Sequence, residues 1–347
     1  MTVAASIAVA VTCAAVLVAP PDCRAATGDY LLKTTHTIAG DGGWDYLTFD
    51  PSSKHLFIAR ATRVQVVDPE TGRVVGEIAD TPGVHGVALA DDLGKGYTSN
   101  GRDNSVSVFD LKTLQVTAKV STPKGENPDF IAYDAVARRV FAFNGRSANA
   151  SVIDATTDRL IATIALHGKP EAAVSDGRGR LFVDIEDSHE LVAIDTATAK
   201  VTAVWPLKGC DEPSGLAMDT AAHRLFVGCH NQVLAVVNAD SGAVMTTLPI
   251  GAGVDATAFD ASTHQVFSSQ GDGTLTVIQS EGGDRFRVAQ TALTQAGART
   301  MALNPNTHEV YLVTADFETP TAAASASSGR RVMKPGTFRL LVMAGAP

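Results

Sequence analysis

The sequence predicts an all-β chain: a seven-bladed β-propeller of four-stranded antiparallel blades, its ring closed by pairing the first strand of the domain into the last blade. Three observations carry this. A short apolar strand ending in Asp or Asn recurs as Val64–Asp68, Val106–Asp110, Ser151–Asp154, Leu191–Asp195 and Val233–Asn238, with closing residues 42, 44, 41 and 43 positions apart. Upstream of these lies a second hairpin with an aromatic in its second strand, seven times over: Phe57, Tyr97, Phe141, Phe182, Phe226, Phe267 and Tyr311. The last repeat then runs out one strand short.

Each element follows from local chemistry. Asp or Asn at a turn start caps backbone donors two residues on, which explains its recurrence. A small sheet cannot bury both faces alone, so the aromatics are expected to pack between blades, as in radial repeat folds. First strands are expected to end at Phe49, Leu89, Tyr133, Val174, Met218, Phe259 and Leu303. The final repeat has strands near Thr300–Leu303, Val310–Thr314 and Phe338–Met343. Leu31–Ile38 supplies the missing outer strand, a closure that removes two exposed sheet edges.

Composition limits the function classes. The chain has 347 residues, 45% apolar and 19% charged, with a net charge of −9. An acidic surface repels phosphate backbones, so nucleic acid is not the expected partner. Residues 2–19 are almost wholly apolar and small, and Pro20, Pro21 and Cys23-Arg24-Ala25-Ala26 follow. That reads as a signal peptide over residues 1–25, cleaved after Ala25, although no Lys or Arg precedes the apolar run. Residues 26–347 then form one propeller domain in the periplasm or outside the cell, a monomer with no stable membrane insertion. The two remaining cysteines, Cys210 and Cys229, are expected to form a disulfide, which matches an oxidising compartment. A low-complexity stretch, 317–336, reads as a flexible loop within blade seven.

The run Tyr97-Thr98-Ser99-Asn100, followed by Asn104-Ser-Val-Ser-Val-Phe-Asp110, resembles the YVTN-type repeat of YncE-like bacterial propellers. Phe57-Ile-Ala-Arg60, Phe141-Ala-Phe-Asn144 and Phe226-Val-Gly-Cys229 are looser copies. The resemblance implies an exported seven-bladed propeller. It does not select a function, because such repeats occur in binding proteins, lactonases and electron-transfer subunits alike.

Candidate function sits where the repeats differ from one another. Four positions before the ends of the inner strands stand Asp45, His85, Asp129, Pro170, Ser214, Asp255 and Arg299, with Glu171 one step after Pro170. Second strands return to the same rim near Arg60, Asn100, Asn144, Glu186, His230 and Gln270. Inner strands run parallel around the axis, so these residues should ring one channel mouth. Acid, imidazole and guanidinium together suit holding an anion or moving a proton. Trp44 adds a candidate stacking surface, and the Cys210–Cys229 disulfide would staple the rim beside His230. On the opposite face, His55, His223, His264 and His308 fall at turn ends and read as solvated.

Two functions follow. The favoured one is an exported binding protein that holds a small ligand or a protein partner at the mouth. The alternative is a hydrolase or lyase there, lactonase-like or polysaccharide-lyase-like, with His85 or His230 as base or acid and Arg299 on a substrate carboxylate. No Cys-x-x-Cys-His, phosphate loop or His-Glu-x-x-His spacing is present. No cofactor is therefore expected beyond a candidate divalent cation at the mouth.

Overall fold

A computed structural model describes residues 1, 29–318 and 332–346 of the chain. The expected leader, residues 1–25, lies outside the described residues apart from Met1, as does most of the loop expected at 317–336. Within them the strands form seven four-stranded antiparallel sheets, each ordered from the axis outward. Blade one is representative: Leu47–Asp50 innermost, then His55–Arg60, Arg63–Asp68 and Arg73–Ile78 at the edge.

The seventh blade is completed as expected, with the closing strand shifted by one residue. Met301–Leu303, Val310–Thr314 and Arg339–Gly345 take Tyr30–Thr37 as their outer strand. Leu31 pairs with Ala344 and His36 with Leu340. Lys33 Nζ reaches Glu309 at 2.6 Å, and the Tyr30 hydroxyl donates to the His308 carbonyl at 2.9 Å.

Why the ring holds is visible in where the apolar residues meet. Seven buried clusters occur among the described residues, each joining two adjacent blades. Phe182 of blade four, for example, packs with Met218, Leu225 and Val227 of blade five. All seven aromatics of the second strands are buried. Each contributes roughly 2–3 kcal/mol by leaving water. The cluster holding Leu56, Ile58, Tyr311 and Leu340 welds blade one to blade seven.

Arg60 and Trp44, both expected at the mouth, belong to this weld instead. Arg60 is fully buried, its guanidinium 3.7 Å over the Phe338 ring, and it donates to the carbonyls of Gly40 at 2.9 Å and Gly42 at 3.0 Å. Burial pushes its pKa down to about 10. Trp44 packs against Phe338, ring centroids 5.2 Å apart, and leaves no open face for stacking a ligand in that direction.

The stereotyped face has Asp50, Asp219, Asp260 and Asn304 accepting from the backbone N–H groups two and three residues on. His223, His264 and His308 hold the left-handed position closing each turn, with φ of 54°, 54° and 62°. In blade one that position is Lys54, at φ 61°, so His55 is one residue out of register with the other three. Two of these histidines are paired rather than merely solvated. His308 Nδ1 lies 2.7 Å from Asp260, and His223 Nδ1 lies 2.9 Å from Asp240.

At the other face the inner strands break register. In five blades a bulge falls between Val84 and Val87, Pro128 and Ile131, Pro170 and Ala173, Pro213 and Gly215, and Val254 and Ala256. A bulge re-aims the side chain it carries. The first residue inside each of these five is His85, Asp129, Glu171, Ser214 or Asp255. Blade four therefore presents Glu171, not Pro170, at the ring position. Its inner strand runs to Ser175, one residue beyond the expected end at Val174.

Candidate functional site

The bulged inner strands assemble three carboxylate groups around one mouth. The first is Asp45, His85 and Asp129. His85 Nδ1 lies 2.6 Å from Asp45 Oδ2 and 3.4 Å from Asp129 Oδ1. One ligand atom from each residue lies within 4.8 Å of the others. Two contacts fix the imidazole. The Tyr46 N–H donates to the His85 carbonyl at 3.1 Å, tying blade one to blade two. The ring's Nε2 edge occupies the space beside Gly101, where a Cβ would stand 2.7 Å from His85 Nε2. Ser99 secures the bulges of two blades by accepting from Gly86 N–H at 2.9 Å and donating to the Asp129 carbonyl.

The second group carries its own cation. Lys169 Nζ lies 2.9 Å from Glu171 Oε2 and is hydrogen-bonded to Glu186. The Tyr46 hydroxyl points at Glu171 Oε1, 3.5 Å away. Behind them Asp184 is fully buried, accepting from the Ala172 N–H at 2.6 Å. In the third group Arg299 Nη1 lies 3.4 Å from Asp255 Oδ1, and Asp255 Oδ2 is buried with no hydrogen-bond partner.

Burial and mutual repulsion set the titration here. Desolvation raises Asp129, Glu171 and Asp184, and the neighbouring carboxylates push the same way. Asp255 is pushed up to about 6 by burial, against the pull of Arg299. Burial alone lowers His85, but the Asp45 hydrogen bond and the charges of Asp129 and Glu171 outweigh it and leave the imidazole above its ordinary value.

Not every expected residue arrives. Asn100 and Asn144 are fully buried inside their blades. The Asn100 amide donates to Ser105 and Ser107, and that of Asn144 to Asn149 and Ser151. They satisfy hydroxyls between strands and present nothing to a ligand. His230 is held apart from His85. Its Nε2 lies 3.1 Å from the Val254 carbonyl and 3.2 Å from Ser214 Oγ, and its Nδ1 lies 3.1 Å from Glu212. Both ring nitrogens are engaged, so His230 is not a free base. Cys210 and Cys229 form the expected disulfide, Cα atoms 5.3 Å apart and fully buried, directly before His230.

Sequence reasoning missed Tyr46, Lys169, Asp184, Ser99 and Gly101. Lys169 had a usable signal, standing immediately before the Pro170-Glu171 pair. The others gave none, because buried Tyr, Asp and Ser in strand segments look like blade structure. The charge sum also changes the expected ligand. Five carboxylates (Asp45, Asp129, Glu171, Glu186 and Asp255) face Lys169, Arg299 and His85, with Asp184 buried behind, and each of these three already rests on a carboxylate.

No protein-family model matches the chain, and no curated protein matches it in sequence. Solved structures share the fold. A chain of hydrazine synthase from Kuenenia stuttgartiensis aligns at TM-score 0.68 and 16% identity, over 81% of this chain and 95% of that one. U3-55K aligns at 0.73 and 9%, over 88% and 98%. A chain of a mitotic checkpoint complex aligns at 0.73 and 14%, over 99% of each. At these identities the likeness is one of fold, the seven-bladed propeller.

Proposed function

We propose that this chain is an exported binding propeller of the YncE-like kind whose channel mouth takes a small, positively charged ligand. The single observation that carries this is the charge imbalance: five half-buried carboxylates (Asp45, Asp129, Glu171, Glu186 and Asp255) converge on the mouth with Asp184 buried behind them, and the cations in contact with them are Lys169, Arg299 and, when protonated, His85. Burial and like charge raise Asp129, Glu171, Asp184 and Asp255, and an arriving cation relieves that penalty, so binding energy is stored in the free protein. The YVTN-like repeat Tyr97–Asn100 supports the family. The disulfide supports a periplasmic or secreted location.

The hydrolase or lyase reading keeps one favourable feature, His85 oriented by a carboxylate at 2.6 Å in the manner of a general base. It loses the anion-binding arginine, since Arg299 lies against Asp255.

The test is thermal stability in matched panels of cations (guanidinium, polyamines, divalent metals) and anions (acidic sugars, phosphate, carboxylates). Saturation at about 100 times Kd adds about 2.7 kcal/mol of stability, a readily seen rise in Tm. Cations should raise Tm in the native chain and much less in the Asp129→Asn/Glu171→Gln double variant. Stabilisation by anions alone would refute the reading.

A further inference from the structure

Resting on the cation reading above, the geometry points to a divalent transition-metal site formed by Asp45 Oδ2, His85 Nδ1 and Asp129 Oδ1. Three residues from three different blades deliver one ligand atom each, all within 4.8 Å of one another. Bonds of about 2.0–2.2 Å to a common centre place ligand atoms roughly 3–3.5 Å apart, which His85 Nδ1 and Asp129 Oδ1 already match at 3.4 Å, while Asp45 Oδ2, 2.6 Å from Nδ1, needs a small outward movement.

The neighbouring groups supply the independent argument. The same mouth has three anionic stations, and two are filled by side chains: Lys169 against Glu171 and Glu186, and Arg299 against Asp255. The third is served only by an imidazole, which is itself a metal ligand. On the same mouth Asp255 Oδ2 is buried without a partner, and its charge acts on Asp129. The fold has thus matched a side-chain cation to every station except the one that carries a nitrogen donor.

The donor set selects the ion. One imidazole with two carboxylates suits Mn²⁺, Co²⁺, Ni²⁺ or Zn²⁺, whereas Ca²⁺ and Mg²⁺ prefer oxygen alone. Three protein ligands leave open positions for water or for a ligand group. The site is also preorganised. His85 is clamped between the bulge and Gly101, and Ser99 holds the two bulges that carry His85 and Asp129.

The experiment is titration of Ni²⁺ into chelator-treated native chain by calorimetry, with the Co²⁺ absorption spectrum as a second readout. One ion should bind per chain. Asp45→Asn and Asp129→Asn should each weaken Ni²⁺ at least about tenfold, the scale on which ligand shells act. His85→Gln should abolish binding and the nitrogen-dependent Co²⁺ bands while keeping the native circular dichroism and metal-free Tm. Ni²⁺ binding of unchanged affinity in His85→Gln would assign the ion to the surface pairs His223–Asp240 or His308–Asp260 and overturn the inference. A native chain that binds guanidinium or polyamine but no metal refutes the metal site and leaves the cation reading standing. A chain that binds neither refutes both.

Discussion

Two carboxylate stations share one mouth, and they solve the same problem differently. On the Glu171–Glu186 side an ammonium from the chain itself sits between the acids. On the Asp45–Asp129 side there is only His85, which can be neutral or charged. The first station is finished; the second stays open to exchange a proton for something else. A buried charge left without a partner is costly, and one already paired gains little from a ligand. The difference between structure and site is here the presence of one lysine.

The largest way to break this contrast is Lys169→Met. It strands Glu171 and Glu186 together. Loss of one partner from a buried pair costs about 3–5 kcal/mol, which partial exposure of the lysine should reduce to about 2–3. Denaturant unfolding should show that loss at pH 7. Adding Glu171→Gln should recover much of it, because Glu171 and Glu186 then no longer repel each other.

Asp255 sharpens the contrast with the opposite sign. Its folded pKa of about 6 lies above the unfolded carboxylate value, so the buried carboxylate destabilises the fold. The favourable term is complete below the unfolded pKa, near pH 4, and is lost as pH rises through about 6. Asp255→Asn should therefore be more stable than the native chain at pH 7–8, by about 1–3 kcal/mol, with the gap closing by pH 4. Unfolding curves at four pH values between 4 and 8 would check it. If Asp255→Asn is instead less stable than the native chain at pH 7–8, with the deficit vanishing toward acid, Arg299 rather than burial governs Asp255.

The smallest expected effect probes the clamp on His85. Gly101 has an ordinary backbone conformation, so Gly101→Ala introduces a methyl 2.6 Å from Asn127 Oδ1 and 2.7 Å from His85 Nε2, and both side chains must shift. Stability should fall by about 1 kcal/mol, as for modest overpacking. The His85 side-chain proton resonances should shift, and those of His223 should not.

How much of this was legible beforehand divides along the same line. The ring, its blade count and its closure follow from periodicity, because every blade repeats the same burial problem and leaves the same aromatic behind. Seven Phe or Tyr residues and one missing strand sufficed. At the mouth, His85, Asp129 and Asp255 were legible as departures from the repeat. Bulges were not, since a bulge adds one residue without changing residue type; Glu171 was placed one step off the ring because Ser175, not Val174, holds the pairing position of Tyr133 and Leu89. Asn100, Asn144 and Arg60 end polar strands in sequence yet serve buried hydroxyls and carbonyls in space. Lys169, which decides the electrostatics, lies outside the aligned column.

The most direct measurement is the number of Mn²⁺ ions bound per chain, by equilibrium dialysis, in the native protein and in Lys169→Met. Mn²⁺ accepts both oxygen and imidazole donors. If cations fill anionic stations at this mouth, the native chain should hold one ion and Lys169→Met two, the second where the ammonium had been. An unchanged count in the variant, or no bound ion in either, would contradict that claim.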